Sequence, residues 1–164
     1  MAMTFDEAVE YILQFEGGYV NDPNDPGGET RYGISKRAFP NLDIKSLTLM
    51  QAKEVYRIHY WVACQCDLLP PYLRLMVFDC AVNQGSLKAA RILQEAVKVF
   101  IDGNIGPITL REAKNSDPQD TLSYYAMRRH LDYTKNLRWD LYGKGWSKRL
   151  LDVSLVCAFW LPAK

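Results

Sequence analysis

Residues 16–35 read EGGYVNDPNDPGGETRYGIS and are the most informative segment of this 164-residue chain. Glycine, proline, aspartate and asparagine dominate residues 17–33, which is typical of turns and excludes a regular helix over the segment. We expect a long ordered loop with a short β excursion around residues 32–34. Long loops inside compact domains usually carry function, so a site is first sought here.

A helix precedes this loop, and its apolar face ends at Glu16. Thr4 and Glu7 form a capping-box pattern that predicts the helix start, and Gly17 predicts its end. Positions 5, 8, 9, 12 and 13 are apolar with helical spacing, and position 16 continues their face. An apolar face and the negative end of the helix dipole both disfavour an ionised carboxylate. Glu16 is therefore either a general acid of the kind that glycosidic cleavage requires or a side chain that frays from the last turn.

The loop supplies further carboxylates close to Glu16 in sequence. Asp22 and Asp25 follow it within a few residues. One acid at a helix end and one carboxylate on an adjacent loop is the pair that glycosidases use. A calcium loop is the alternative, but Pro26 occupies a ligand position of the EF-hand pattern and the distal glutamate is missing.

The remainder of the chain is predicted to be helical, which gives an all-α fold. A second capping box, Thr48 with Gln51, begins a helix that runs to Trp61. Glycine and proline positions predict further helices over about 72–81, from 86, from 109, over about 119–141 and from about 146 to 159. A composition shift near Gly103 predicts a catalytic part over 1–100 and a helical part over 101–164, packed as one compact unit.

Composition and charge exclude several classes of function. Twenty basic and 19 acidic side chains give a net charge of +1, so nothing demands nucleic acid or an anionic membrane. No segment is long and apolar enough to span a bilayer, and the N-terminus lacks the pattern of a secretory signal, so we expect cytoplasmic synthesis. A local basic cluster either faces an anionic polymer or is a solvated helix face, which we favour; it comprises Arg128, Arg129, Lys144, Lys148 and Arg149.

Four cysteines are present, and a cytosolic start favours free thiols. A zinc site would need His59 or His130 beside the Cys64-x-Cys66 pair, and no paired ligand knuckle exists. We therefore expect no metal, and four buried, inert thiols: Cys64, Cys66, Cys80 and Cys157.

Several segments resemble glycoside hydrolase family 108, which comprises phage endolysins and secretion activator proteins. Residues 16–35 are similar to the family signature and carry most of the resemblance. Weaker similarities extend it over nearly the whole chain. They are YRIHYW at 56–61, FDCAVNQG at 78–85, GWSKR at 145–149, and DGNIGPIT at 102–109, which resembles the opening of the family's predicted peptidoglycan-binding region.

The resemblance implies a lysozyme-like fold that cleaves the bond between N-acetylmuramic acid and N-acetylglucosamine, with Glu16 as the catalytic acid. The loop is also similar to that of phage-type lysozymes, in which a Glu, an Asp and a Thr form the catalytic set. Their Glu-to-Asp interval equals that from 16 to 25, which implies Asp25 rather than Asp22 as the residue that activates water. Thr30, which would help to hold that water, stands one residue before the position of their Thr.

Aromatic and amide side chains supply candidate glycan contacts. Tyr19, Tyr32 and Trp61 are candidates for stacking on sugar rings, although isolated aromatic residues more often fill cores. Asp79 and Asn83 lie one helical turn apart and either bond the acetamido groups of the glycan or belong to a helix end.

Three alternatives are a lytic transglycosylase, a non-catalytic peptidoglycan-binding module and an interaction protein of a secretion system. The second loop carboxylate argues against the transglycosylase, and a binding module would leave the Glu16 loop without a purpose. We expect a monomer that needs no cofactor and binds peptidoglycan, not nucleic acid or membrane. A holin or a secretion apparatus would give it access to the periplasm or cell wall.

Overall fold

Helices dominate the chain, whose computed structural model describes residues 3–21 and 28–162. A π-helical segment (Arg57–Val62) continues α2, and a 3-10 segment (Cys66–Leu68) precedes α3. This architecture confirms the predicted all-α fold with a short β excursion after the first helix. The elements are α1 (Phe5–Leu13), β1 (Thr30–Arg31), β2 (Ile34–Ser35), α2 (Leu49–Tyr56), α3 (Pro71–Gln84), α4 (Ser86–Ala96), α5 (Pro107–Asn115), α6 (Pro118–Thr134) and α7 (Trp139–Ala158).

The chain forms two compact units. The smaller unit is Thr4–His59, and the larger unit is Tyr60–Lys164 together with Met1–Met3. The predicted boundary near residue 100 separates a catalytic part from a helical part by function, not by compactness, and it stays a prediction.

In the smaller unit, α1 and α2 both begin with the capping box that the sequence predicts. The Thr4 side chain accepts from the Glu7 N–H, and the Glu7 carboxylate accepts from the Thr4 N–H at 2.8 Å. Thr48 and Gln51 repeat the arrangement at the start of α2. Each box pairs backbone donors that a helix start leaves unpaired. The buried apolar side chains of this unit are Phe5, Ala8, Val9, Ile12, Ile34, Ile44, Leu47, Ala52 and Tyr56.

The larger unit is built around α3, which packs against α4, α6 and α7. Nine of the ten α3 residues from Tyr72 to Ala81 are buried. A helix that is apolar on all sides is typical of a core position. Asp79 is the one carboxylate among these buried residues, and its partners are described below.

Three helix boundaries predicted from the sequence are wrong. Helix α6 ends at Thr134 rather than near 141, and α7 begins at Trp139 rather than Trp146. Gly143 lies inside α7 without interrupting it, and the Trp139 ring packs against it: a Cβ added to Gly143 would stand 2.5 Å from Trp139 Cδ2. Helix α1 ends at Leu13, three residues before Glu16.

Candidate active site

Glu16 lies just beyond the C-terminus of α1. The Phe15 N–H donates to Ile12 O at 3.0 Å and the Glu16 N–H donates to Leu13 O at 3.2 Å. These bonds span three residues instead of four, so the chain tightens after Leu13 and leaves the helix. The Glu16 side chain is half-buried, where the sequence predicted a place on the buried face.

A two-residue β-hairpin follows in the same unit. Strands β1 and β2 pair with Thr30 opposite Ser35 and Arg31 opposite Ile34. The turn residues Tyr32 and Gly33 have φ values of 50° and 74°. Positive φ at both central residues is the requirement of a type I′ turn, whose twist matches that of the strands it joins. The predicted β excursion is therefore a tight hairpin.

Val20 pairs with the outer edge of strand β1. Its N–H and C=O both pair with Thr30 at 2.8 Å, and the two residues form an isolated antiparallel bridge. The Lys36 N–H donates to Glu29 O at 2.8 Å and continues the β1–β2 pairing at the open end of the hairpin. The bridge fixes the backbone four residues after Glu16 against β1, so the acid and the hairpin are parts of one local structure.

The Glu16 carboxyl lies against the turn of the hairpin at Gly33. A Cβ added to Gly33 would stand 2.5 Å from Glu16 Oε2 and 2.5 Å from the Tyr56 hydroxyl oxygen. Tyr56 is buried, and its hydroxyl donates to Tyr32 O at 2.9 Å. Only a residue without a side chain permits this close approach, which also requires the positive φ that glycine adopts freely. Tyr56 was not among the site residues predicted from the sequence, because a tyrosine at helical spacing gives no signal beyond core packing.

Three other residues predicted for the site, in or near the hairpin, are at least partly accessible. Tyr19 is 41% exposed, and its hydroxyl donates to Glu29 Oε1 at 2.9 Å, a bond that raises the pKa of Tyr19. Tyr32 is half-buried, with the Arg31 guanidinium carbon 5.3 Å from its ring centroid. Thr30 is also half-buried, and its hydroxyl lies 3.5 Å from Gly28 O. Asp22 and Asp25 lie outside the described residues.

Trp61 and Asp79 are core residues, which corrects their assignment as glycan contacts. Trp61 is 0% exposed and packs edge-on against Phe78 with ring centroids 5.3 Å apart. Asp79 is also 0% exposed; one carboxylate oxygen lies 2.6 Å from an Arg129 nitrogen and the other 2.8 Å from Arg149 Nε. Neither side chain reaches the surface in this structure.

Arg129 and Arg149 correct the expectation of a solvated basic cluster. Arg129 is fully buried and donates to Tyr133 Oη at 2.9 Å as well as to Asp79. Asn83, by contrast, is exposed, and its amide nitrogen donates to Asp79 O at 3.0 Å. The sequence carries no signal for the ion pairs of Asp79, because Arg129 and Arg149 lie 50 and 70 residues after it.

Two features of the described residues bear on cofactors and location. No three His, Cys, Asp or Glu side chains within 3–21 and 28–162 group in a way that would hold a metal ion. Among the helices of the described chain, none has the length and apolar character that crossing a membrane requires.

Comparison with known proteins finds a glycoside hydrolase family model that matches part of the chain. Residues 9–85 match the family model described as Glycosyl hydrolase 108, which confirms the predicted resemblance. That range contains Glu16, the hairpin and Tyr56. The solved structure of Brucella abortus SagA is similar, with 28% identity, a TM-score of 0.88 and coverage of 98% of this chain and 97% of that one. This similarity confirms the predicted lysozyme-like fold, while no curated protein matches the chain.

Proposed function

We propose that this glycoside hydrolase cleaves the bond between N-acetylmuramic acid and N-acetylglucosamine in peptidoglycan, with Glu16 as the general acid. The observation that carries the proposal is the position of the Glu16 carboxyl. It is half-buried, held against Gly33 at the hairpin turn, and lies inside the segment that matches Glycosyl hydrolase 108. A carboxyl with one side against the protein and one side toward solvent is suited to transfer a proton to a bound glycosidic oxygen.

The mechanism needs a second group that activates water. Asp25 has the interval from Glu16 that phage-type lysozymes use, and Thr30 stands on β1 beside the same loop. Glu16 protonates the leaving oxygen, Asp25 takes a proton from water, and the hydroxyl of Thr30 helps to hold that water. The reaction then inverts the anomeric centre, which requires carboxylates roughly 6.5–9.5 Å apart.

Glycan contacts are proposed for the accessible members of the predicted set. Tyr19 and Tyr32 present aromatic faces beside the hairpin, and sugar C–H groups pack well on such faces. Asn83 is exposed and is a candidate for hydrogen bonding to an acetamido group. We further propose that the protein acts as a monomer and that a holin or a secretion apparatus gives it access to the wall.

A glutamine substitution tests the acid directly. Glu16→Gln keeps the shape of the side chain but removes the transferable proton, so activity on purified peptidoglycan falls by about a hundred- to ten-thousand-fold. A zymogram and the rate of turbidity loss of a peptidoglycan suspension measure this. Glu54→Gln is the matched control, since Glu54 is an exposed glutamate of the same unit, and it keeps full activity.

Two further measurements separate the mechanism from its rivals. Asp25→Asn reduces hydrolysis more than Asp22→Asn if Asp25 activates water. Mass spectrometry of the products shows hydrated reducing ends for a hydrolase and anhydro ends for a lytic transglycosylase. Near-normal turnover by Glu16→Gln would reject the catalytic assignment, and an inactive wild-type protein that still binds peptidoglycan would indicate a binding module.

A further inference from the structure

The larger unit contains a cavity of about 550 Å³ that the proposed mechanism does not use. It is formed by the 3-10 segment, the first turn of α3, the junction of α5 and α6, and the chain after α7. Its volume lies within the range of about 300–1,000 Å³ that small-ligand sites occupy. The apolar part of the lining includes Leu68, Leu69, Pro70, Pro71, Pro118 and Trp160.

The wall of the cavity is fixed by proline rings and by Arg74. Proline restricts the backbone, and four prolines line this site. Each guanidinium nitrogen of Arg74 donates to a backbone carbonyl: Nε to Leu69 O at 3.1 Å, the others to Asp67 O at 2.8 Å and Met3 O at 3.2 Å. The Arg74 guanidinium is therefore already hydrogen-bonded to backbone carbonyls and is not the group that would bind an anion.

Two opposite charges at the cavity remain for a ligand. Asp67 and Lys114 both line it and are both exposed. Within the described residues neither side chain forms an ion pair or a hydrogen bond, so each can accept a partner without first breaking a contact. A carboxylate and an ammonium group on one cavity are complementary to a ligand that carries both charges.

This combination selects a class of ligand. A neutral sugar would use neither charge, and a phosphate would use only Lys114. A short peptide with a free amine and a free carboxylate uses both, and its alkyl groups bury against Trp160 and the prolines. We propose that the cavity binds the stem peptide of peptidoglycan, whose diamino acid carries a free amine and whose D-residues carry free carboxylates. The inference rests on the proposed function, because a peptidoglycan hydrolase meets this peptide on its own substrate.

Binding of the isolated peptide tests the inference without any hydrolysis. The probe is N-acetyl-L-Ala-γ-D-Glu-meso-diaminopimelate-D-Ala, whose one free amine is that of the diamino acid. It is titrated into the full ¹⁵N-labelled chain while the four tryptophan indole N–H resonances are followed. The resonance of Trp160, assigned with Trp160→Phe, shifts, and those of Trp61, Trp139 and Trp146 do not. Asp67→Asn and Lys114→Met each weaken binding about tenfold, as loss of one charged contact predicts. Lys144→Met removes an exposed lysine elsewhere in the same unit and leaves the affinity unchanged.

Several results would overturn the inference. They are no shift at Trp160, equal affinity for the peptide with its amine acetylated and its carboxyls amidated, and preference for N-acetylglucosamine tetramer. Equal affinity for an all-L peptide of the same charges would show that the cavity takes protein segments rather than the stem peptide. Failure here with an active zymogram rejects only the cavity assignment. Peptide binding with an inactive zymogram rejects the proposed hydrolysis and keeps the site.

Discussion

At the scale of single residues, Gly33 holds the candidate acid in place. A Cβ there would meet Glu16 Oε2 at 2.5 Å, whereas the same addition at Gly28 meets no atom of the described residues closer than Lys36 Cβ at 4.0 Å. Both glycines have positive φ, 74° and 67°, so alanine costs both positions about 1–2 kcal/mol of stability. Only Gly33→Ala displaces the carboxyl, and a displacement of about 1 Å can cost roughly a hundredfold in rate.

The comparison of these two variants therefore separates strain from chemistry. Urea unfolding gives a larger loss of stability for Gly33→Ala than for Gly28→Ala, because the Cβ added at Gly33 also meets the Tyr56 hydroxyl oxygen at 2.5 Å. Under conditions in which both variants are fully folded, peptidoglycan turnover falls strongly in Gly33→Ala alone. Equal activity of the two variants would show that the contact between Gly33 and Glu16 has no part in catalysis.

Asp79 is the residue whose loss should damage the fold most. Its carboxylate is completely buried between Arg129 and Arg149, and Arg129 is itself 0% exposed. Asp79→Asn leaves a buried guanidinium without its counter-charge, so the free energy of unfolding falls by about 3–5 kcal/mol. Asp152→Asn breaks only the exposed pair with Lys148 and changes stability by less than about 0.5 kcal/mol.

Urea unfolding curves of both variants check this difference. The fraction of Asp79→Asn that remains folded keeps a normal KM for peptidoglycan, because Asp79 does not reach the surface. A raised KM with unchanged stability would restore the glycan-binding role that the sequence suggested.

At the scale of elements, local signals predicted where helices begin better than where they end. Both capping boxes form as the residue pattern indicates, because a cap depends only on neighbours three positions apart. After α1 the chain tightens at Phe15 and Glu16 and then pairs with the hairpin through Val20 and Thr30. That pairing joins residues ten positions apart, and no rule about adjacent residues contains it.

The two glycines of α7 give a matched test at this scale. Glycine inside a helix normally costs about 1 kcal/mol relative to alanine. No atom in the described part of the chain lies within 4 Å of a Cβ added at Gly145, so Gly145→Ala raises stability by about that amount. At Gly143 the added Cβ would stand 2.5 Å from the Trp139 ring, so Gly143→Ala forfeits the gain or destabilises the protein. Thermal unfolding of both variants measures the difference, and equal stabilisation would show that the ring moves aside freely.

At the scale of the whole molecule, the sequence indicates arrangements that are local and does not indicate which side chains long-range packing will bury. Glu16 and the hairpin lie within 20 residues of each other, and their relation is visible in one motif. Trp61, Asp79, Arg129 and Arg149 became candidates for surface roles because their residue types suggest them. Their burial follows from how α3, α6 and α7 pack, which involves residues up to 70 positions apart. The same limit hid the cavity beside Trp160, whose lining is drawn from residues 67 to 162.

The buried thiols make the stability of the larger unit depend on alkaline pH. Cys64, Cys66, Cys80 and Cys157 are all buried and free, and burial raises the pKa of Cys64 to about 11 and of Cys157 to about 12. Below the ordinary thiol pKa of 9.0 both folded and unfolded chains keep these protons, so stability does not change. Above it the unfolded chain loses protons first, and stability falls as the pH rises from about 9 towards 12.

Urea unfolding between pH 8.5 and about 10, below the range where most tyrosines ionise, measures the slope of the free energy of unfolding against pH. Cys157→Ser removes one titrating group and makes the slope shallower, while thiol titration of the denatured wild type finds all four cysteines reduced. A slope that Cys157→Ser leaves unchanged, or fewer than four thiols, would contradict this account.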